Sequence, residues 1–323
     1  MLKSNVSWST NTDSYTQGKE AAKKAVVDLI QTKVAFLFTS VDCNVSKVLE
    51  GAKAELGTAP IIGCTSSAGI ITPDGFISSE NGFTGILALG DPELTVGVAS
   101  SPKKEEARLT GQMVAKEAMK KAGRTDSPAY FYIGRVPVFG GSAADNTVEG
   151  KWSIYTNDQV FADGVAVAFF YTDKKISNVY TGAYHETINS GIITKIKGKR
   201  TLVEIDGEPA VKKYAKWTGK KLKDLEGANL LAETVTAPLG VKDRLGDLIA
   251  IRHPMFANDD GSMNIGANLA VNTAVIQMEA SVDELIKATG KTAKEVNKEL
   301  ENKGTEAGAY LFIHCGGRRL AIG

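Results

Sequence analysis

The chain has 323 residues, 43% of them hydrophobic and 23% charged, which is enough to bury a sizeable core and to divide into two domains. Lys and Arg total 38 against 37 Asp and Glu, so no net field gathers nucleic acid or an anionic membrane non-specifically. Three widely spaced cysteines form neither a disulfide framework nor a zinc knuckle, the N-terminus lacks the apolar stretch of a secretory signal, and no apolar run reaches the roughly 18 residues of a membrane span; the expectation is a cytoplasmic protein with reduced thiols and no membrane insertion.

From Asp13, a capping residue, Ala22, Ala25, Val26, Leu29 and Ile30 recur at helical spacing and predict a first amphipathic helix. The apolar run 34–39 reads as a strand buried on both faces, 44–56 as a helix, and 60–63 as another buried strand. That order predicts a parallel βαβ unit. Residues 83–89 and 94–99, joined by Gly90-Asp91-Pro92-Glu93, read as an antiparallel hairpin, and a third helix is expected from Ser101-Pro102 to Gly123 with Ala107, Val114, Ala118 and Ala122 on its core face. Strands follow at 129–133, 160–171 and 176–184, with a glycine-rich loop at 139–150; a hairpin turns at Gly198-Lys199. Beyond a boundary placed near Ser190, a helix is expected at 208–216 and strands at 229–235, 248–253 and 274–278. Two helices then start at the capping boxes Ser281 to Glu284 and Thr292 to Glu295, and a central strand closes the pattern at 309–313. The fold class is α+β (mixed α/β): a βαβ opening, then largely antiparallel mixed sheets flanked by helices, in two domains, 1–190 and 191–323.

Three segments carry candidate chemistry. Cys64, Thr65, Ser66 and Ser67 follow a buried strand, Thr39 to Asp42 follow its parallel neighbour, and Arg135 follows the strand 129–133; ligands gather at such carboxyl ends because loops and helix N-termini converge there. Turn-forming chemistry alone accounts for the same Ser, Thr and Gly residues. In the glycine loop, Gly141 and Ser142 let a backbone approach a ligand, and Asp145 and Asn146 can fix an amine or hydroxyl, or else form an Asx turn. At the chain's end, His314-Cys315-Gly316-Gly317-Arg318-Arg319 offers two guanidinium groups for a carboxylate and a candidate reactive thiol, or an inert strand cysteine. Arg252 closes a further strand and joins the ligand-binding set, while His185 and His253 read by default as solvated or hydrogen-bonded. Neither a phosphate loop nor a G-x-S-x-G elbow is present, and three histidines at no metal spacing support no metal, so no cofactor is expected. The lysines between 212 and 223, with Tyr214 and Trp217 among them, read as a solvated helix face over two core aromatics rather than an RNA surface.

Taken in order, the segments 60–69 (PIIGCTSSAG), 139–146 (FGGSAADN) and 312–319 (FIHCGGRR) resemble the FIST family, with 158–167 similar to the strand after the glycine loop and 203–210 to the opening of the family's C-terminal region. The resemblance spans about Ser4 to Arg319. It implies a FIST N-terminal domain followed by a FIST C-terminal domain, the latter lacking the family's closing segment because the chain stops at Gly323. It also implies a stand-alone intracellular sensory module rather than an enzyme, binding a small polar ligand of the amino-acid or carboxylate class and signalling through a separate protein. A protein-interaction scaffold, as in eukaryotic relatives, and a cysteine-dependent enzyme or redox-responsive protein acting through Cys315 are the alternatives.

Overall fold

A computed structural model describes residues 2–128, 139–147, 149–157, 159–225, 227, 230–242 and 249–322. The predicted strand 129–133 and Arg135 lie outside these residues. The chain divides into two compact units, Met1–Asn178 with Val296–Ile313, and Val179–Glu295 with His314–Gly323.

In the first unit, strand β1 (Lys3–Ser9) leads to helix α1 (Ser14–Ala25), and β2 (Val34–Thr39) leads through α2 (Val45–Leu56) to β3 (Ile61–Thr65). Both helices start where their caps dictate: Asp13 accepts from the Thr16 N–H at 2.8 Å and Asn44 from the Lys47 N–H at 3.1 Å. Strands β2 and β3 pair in parallel, Ala35 opposite Ile61 through Thr39 opposite Thr65, as the βαβ pattern predicts. The short strands β4 (Ile70–Thr72) and β5 (Gly75–Ile77) form a separate hairpin. Next come β6 (Thr84–Gly90), β7 (Thr95–Pro102), α3 (Ala107–Lys121), β8 (Ile154–Thr156), β9 (Gln159–Phe161) and β10 (Gly164–Tyr171). The six-stranded sheet runs β1-β6-β2-β3-β8-β9, and β7 pairs with β10.

The predicted hairpin of 83–89 with 94–99 therefore does not form. Strand β6 has both edges occupied, by β1 and β2, so the Asp91 turn carries the chain out of that sheet into a second layer. Alternation along the strands explains the layering. Val98 and Phe170 face the six-stranded sheet, with Phe170 stacked on Phe36 at 6.0 Å, while Ala99, Phe169 and Tyr171 face α3. On the other face, Ala35, Leu37, Ile61, Ile86 and Ala88 meet α1 and α2. Those two helices approach to backbone contact: a Cβ on Gly18 would fall 2.0 Å from the Val48 carbonyl oxygen, and one on Gly51 would fall 1.9 Å from that of Tyr15. Helix α3 starts at Ala107 rather than Ser101 because β7 continues through Pro102 in register with Gly164; its buried face is Thr110, Val114 and Ala118, and Ala107 is exposed.

The second unit opens with β11 (His185–Lys197), β12 (Thr201–Ile205), β13 (Glu208–Pro209), α4 (Ala210–Thr218) and α5 (Leu231–Thr234). It continues with β14 (Leu239–Lys242), β15 (Ile249–Arg252), β16 (Pro254–Ala257), β17 (Met263–Ile265), β18 (Ala274–Glu279), α6 (Val282–Asn302, to Glu295 in this unit) and α7 (Gly316–Ile322). Its sheet is antiparallel throughout, ordered β15-β14-β18-β11-β12-β17-β16 with β13 against β12. The β11–β12 hairpin turns at Gly198 with φ of 62°, as its sequence predicts. Helix α4 seals the core with Val211 and Tyr214, both at 0% exposure. Lys213 pairs with Asp206 and Lys216 with Glu208, in keeping with a solvated helix face.

Four further expectations fail in the sheets and helices. Residues 176–184 carry no ladder, because β10 ends at Tyr171 and β11 begins only at His185. Of 229–235, Leu231–Thr234 is helical, and Asn229 lies outside the described residues. The run 309–313 alternates in burial as a strand would, with Ala309 and Leu311 packed and Tyr310 and Phe312 exposed, but pairs with no strand among the described residues. At the C-terminal helices only the first capping box operates: Ser281 and Glu284 bond reciprocally, whereas Thr292 donates its hydroxyl back to the Ala288 carbonyl at 2.9 Å and the helix runs on unbroken. The strand expected at 248–253 forms over Ile249–Arg252, residue 248 lying outside the described residues, and the helix expected at 208–216 starts two residues later because Glu208–Pro209 first pairs with β12.

Candidate functional site

In the first unit the carboxyl ends of the parallel pair β2 and β3 sit side by side, and a third segment closes over them. Asn146 reaches both: its Nδ2 donates to Asp42 Oδ2 at 2.9 Å, after β2, and its Oδ1 accepts from the Ala68 N–H at 2.7 Å, after β3. Ser66 N–H donates to the Thr39 carbonyl and Ala144 N–H to the Thr65 carbonyl, so the three loops are joined by backbone as well. Ala68 holds φ of 59°, a left-handed conformation unfavourable for a residue with a Cβ, and its carbonyl accepts from Ser78 Oγ at 2.6 Å. Such strain persists where surrounding bonds over-determine the backbone.

The predicted residues divide by role. Asp145, 2% exposed, accepts from the backbone N–H groups of Thr147, Glu149, Gly150 and Lys151 at 2.7 to 3.2 Å, so its carboxylate folds the loop that delivers Asn146. Thr65, 1% exposed, accepts from the Ser153 N–H at 2.9 Å. Burial pushes the Cys64 thiol up to about 11, keeping it protonated at neutral pH, and Tyr155 donates its hydroxyl to the Cys64 and Leu37 carbonyls beneath it. Ser66 donates to the Gly69 carbonyl at 2.7 Å. Ser67 makes no side-chain bond among the described residues, and Gly141 and Ser142 are exposed. Asp42 also accepts from Ser40 Oγ at 2.7 Å through the oxygen that Asn146 uses, which leaves Oδ1 without a partner among the described residues.

In the second unit a separate cluster gathers around the start of α7. Tyr184 donates its hydroxyl to the Val235 carbonyl at 2.7 Å and meets the His253 ring edge-on at 5.9 Å. Burial raises the Tyr184 phenol to about 12, with the charges of Cys315 and Arg318 acting on it in opposite senses. A Cβ on Gly317 would lie 3.5 Å from the Cys315 Sγ and 3.6 Å from Val235 Cγ2, which fixes α7 against the end of α5. His253 is not solvated: burial holds its imidazole down at about 4, and its Nδ1 has no hydrogen-bond partner among the described residues. Cys315 is exposed, and the Arg318 N–H donates to its carbonyl at 3.0 Å, closing the first turn of α7. His314 pairs instead with Thr289 Oγ1 at 3.1 Å. Arg252 is spent locally, on the Asn268 and Ile251 carbonyls at 3.1 Å each. Sequence reading missed Tyr184 and His253 as neighbours of Cys315; nothing local to either residue signals the other.

Residues 33–208 match the FIST N domain and residues 210–323 match the FIST C domain. The chain belongs to the FIST family. FIST domains are sensory, signal-transduction domains, so the order of motifs read from the sequence identified the class of the whole chain. No curated protein and no solved structure shows a significant match. Among the described residues, no helix is long and apolar enough to cross a membrane, and no three His, Cys, Asp or Glu side chains stand together as a metal site requires. Two cavities are lined by none of the predicted ligand-binding residues. One of ≈ 270 Å³ beside α2 is lined by Leu49, Lys53 and Val160, among others, and a larger one lies in the second unit; the strand ends are more telling because polar groups converge there.

Proposed function

We propose that this FIST protein is a cytoplasmic sensor of a small zwitterionic or carboxylate-bearing molecule, amino acids foremost, and that it signals through a separate protein. One observation carries the reading: Asn146 ties together two parallel strand ends and a glycine loop, the place where open α/β sheets take ligands. There Asp42 Oδ1 receives the ligand's ammonium group, and the Ser67 hydroxyl and exposed amides of Gly141 and Ser142 receive its polar oxygens. Asp145 is the positioning residue beneath Asn146. In the second unit, Arg318 and Arg319 beside Cys315 form a separate candidate site, suited to a carboxylate on its own.

The test is a thermal-shift screen of the full chain against amino acids, small carboxylates and nucleotides. A ligand at about a hundred times its Kd stabilises by roughly 2.7 kcal/mol, visible as a shift of several degrees. Binding confined to one chemical class, and weakened by Asp42→Asn, supports the reading; a flat screen across all three classes removes it.

A further inference from the structure

The second unit carries an open polar groove of ≈ 620 Å³, floored by the end of β18 and bordered by the first turn of α6. Gln277 lies in its floor with only 6% of its surface exposed. The direction of its amide can be settled from its neighbours. Asn189 Nδ2 donates to the Trp217 carbonyl at 3.2 Å, an atom with no proton to give, so the nitrogen of Asn189 must face that side. The same nitrogen meets Gln277 Oε1 at 2.7 Å, which leaves the Gln277 Nε2 amide with no partner among the described residues and turned to the groove.

The backbone is bent to achieve this. The β11–β18 ladder shifts register between Glu186 and Ser190, a bulge that throws Ile188 outward to 98% exposure. Its neighbours Thr187 and Asn189 both turn to Gln277, the Thr187 hydroxyl donating to the Gln277 carbonyl at 3.0 Å. Bulges commonly re-aim side chains beside functional sites.

Two positions along β18, on the same face of the strand, stands Glu279. His185 contacts its Oε1 at 3.2 Å, and its Oε2 has no partner among the described residues. Glu284 and Glu233 also line the groove against one lysine, Lys220, which pairs with Glu233. The groove thus joins an accessible, unspent amide donor on a largely buried side chain to a carboxylate with one oxygen unpartnered among the described residues, in an acidic setting.

We infer that this groove binds a small organic ammonium compound that also carries a carbonyl acceptor: the ammonium group on Glu279, the carbonyl oxygen on Gln277 Nε2, with Asn189 as the positioning residue. The site is independent of the strand ends of the first unit. Backbone-amide NMR titration of the full chain with glycinamide, ethylammonium and acetamide tests it. Glycinamide should shift the amides around Gln277 to Glu279 saturably and bind about tenfold more tightly than either half-ligand, the worth of one hydrogen bond. Gln277→Glu keeps an acceptor for Asn189 but removes the donor, so it should abolish the preference for glycinamide over ethylammonium while ethylammonium still binds. Glu279→Gln should weaken both ammonium compounds about tenfold. Asn146→Ala, in the other unit, should leave glycinamide binding unchanged. The inference is overturned by an absence of saturable glycinamide shifts, by indifference to both groove substitutions, or by loss of binding in Asn146→Ala.

Discussion

Replacing Asn146 by alanine tests whether one side chain holds the strand-end site together. The substitution deletes the 2.9 Å bond to Asp42 and the 2.7 Å bond from the Ala68 N–H. The first is solvent-exposed and worth about 0.5 kcal/mol, the second is partly buried and worth about 1 kcal/mol. Release of the left-handed Ala68, whose conformation costs on the order of 1 kcal/mol, returns part of that loss if the loop relaxes. The net expectation is a destabilisation of about 1 to 1.5 kcal/mol. At about 2–4 °C per kcal/mol for a unit of this size, the Tm falls by roughly 2–6 °C in thermal unfolding followed by circular dichroism. Asn146→Asp separates the two bonds. It keeps an acceptor for Ala68 but sets a carboxylate against Asp42, so its deficit relative to wild type should be larger at pH 7 than at pH 4, where one carboxyl can be protonated and donate. A Tm within a degree of wild type for Asn146→Ala, together with a pH-independent deficit for Asn146→Asp, would refute the clamp.

The same Gly→Ala change should act with opposite signs at two helix positions. Gly51→Ala drives its Cβ to 1.9 Å from the Tyr15 carbonyl oxygen and should cost about 2 kcal/mol or more in denaturant unfolding, whereas Gly111→Ala, with nothing within 4 Å, should gain about 0.5–1 kcal/mol. His253, held down at about 4 by burial, stays neutral in the fold while the unfolded chain protonates near 6.5. Its contribution is therefore complete above pH 6.5 and lost as pH falls from 6.5 to about 4, by on the order of 3 kcal/mol, and His253→Phe should remove that part of the slope in stability measured against pH. Iodoacetamide followed by mass spectrometry should label Cys315 in the native protein and spare Cys43 and Cys64, which are buried or half-buried; comparable labelling of all three would contradict the packing around β3 and α1.

Features decided within a few residues were legible in the sequence. The caps at Asp13 and Asn44, the Ser281–Glu284 box and the Gly198 turn all operate through bonds or backbone angles local to their motif, and the buried runs of β2 and β3 have lengths that admit little but a parallel βαβ unit. The motif order likewise identified the family. What the sequence left open was the choice of partner. Residues 83–99 have a hairpin's composition, yet β6 spends its edges on β1 and β2; 309–313 alternates like a strand, yet finds no edge among the described residues. The same holds for the sites: Asp145 was a candidate ligand until four loop amides claimed it, and Tyr184, His253 and Cys315, or Asn189 and Gln277, become neighbours only once distant strands pair. A strand or a polar side chain carries its bonding capacity in its own residues, but which group satisfies it depends on edges and surfaces that exist only after the rest of the chain has packed.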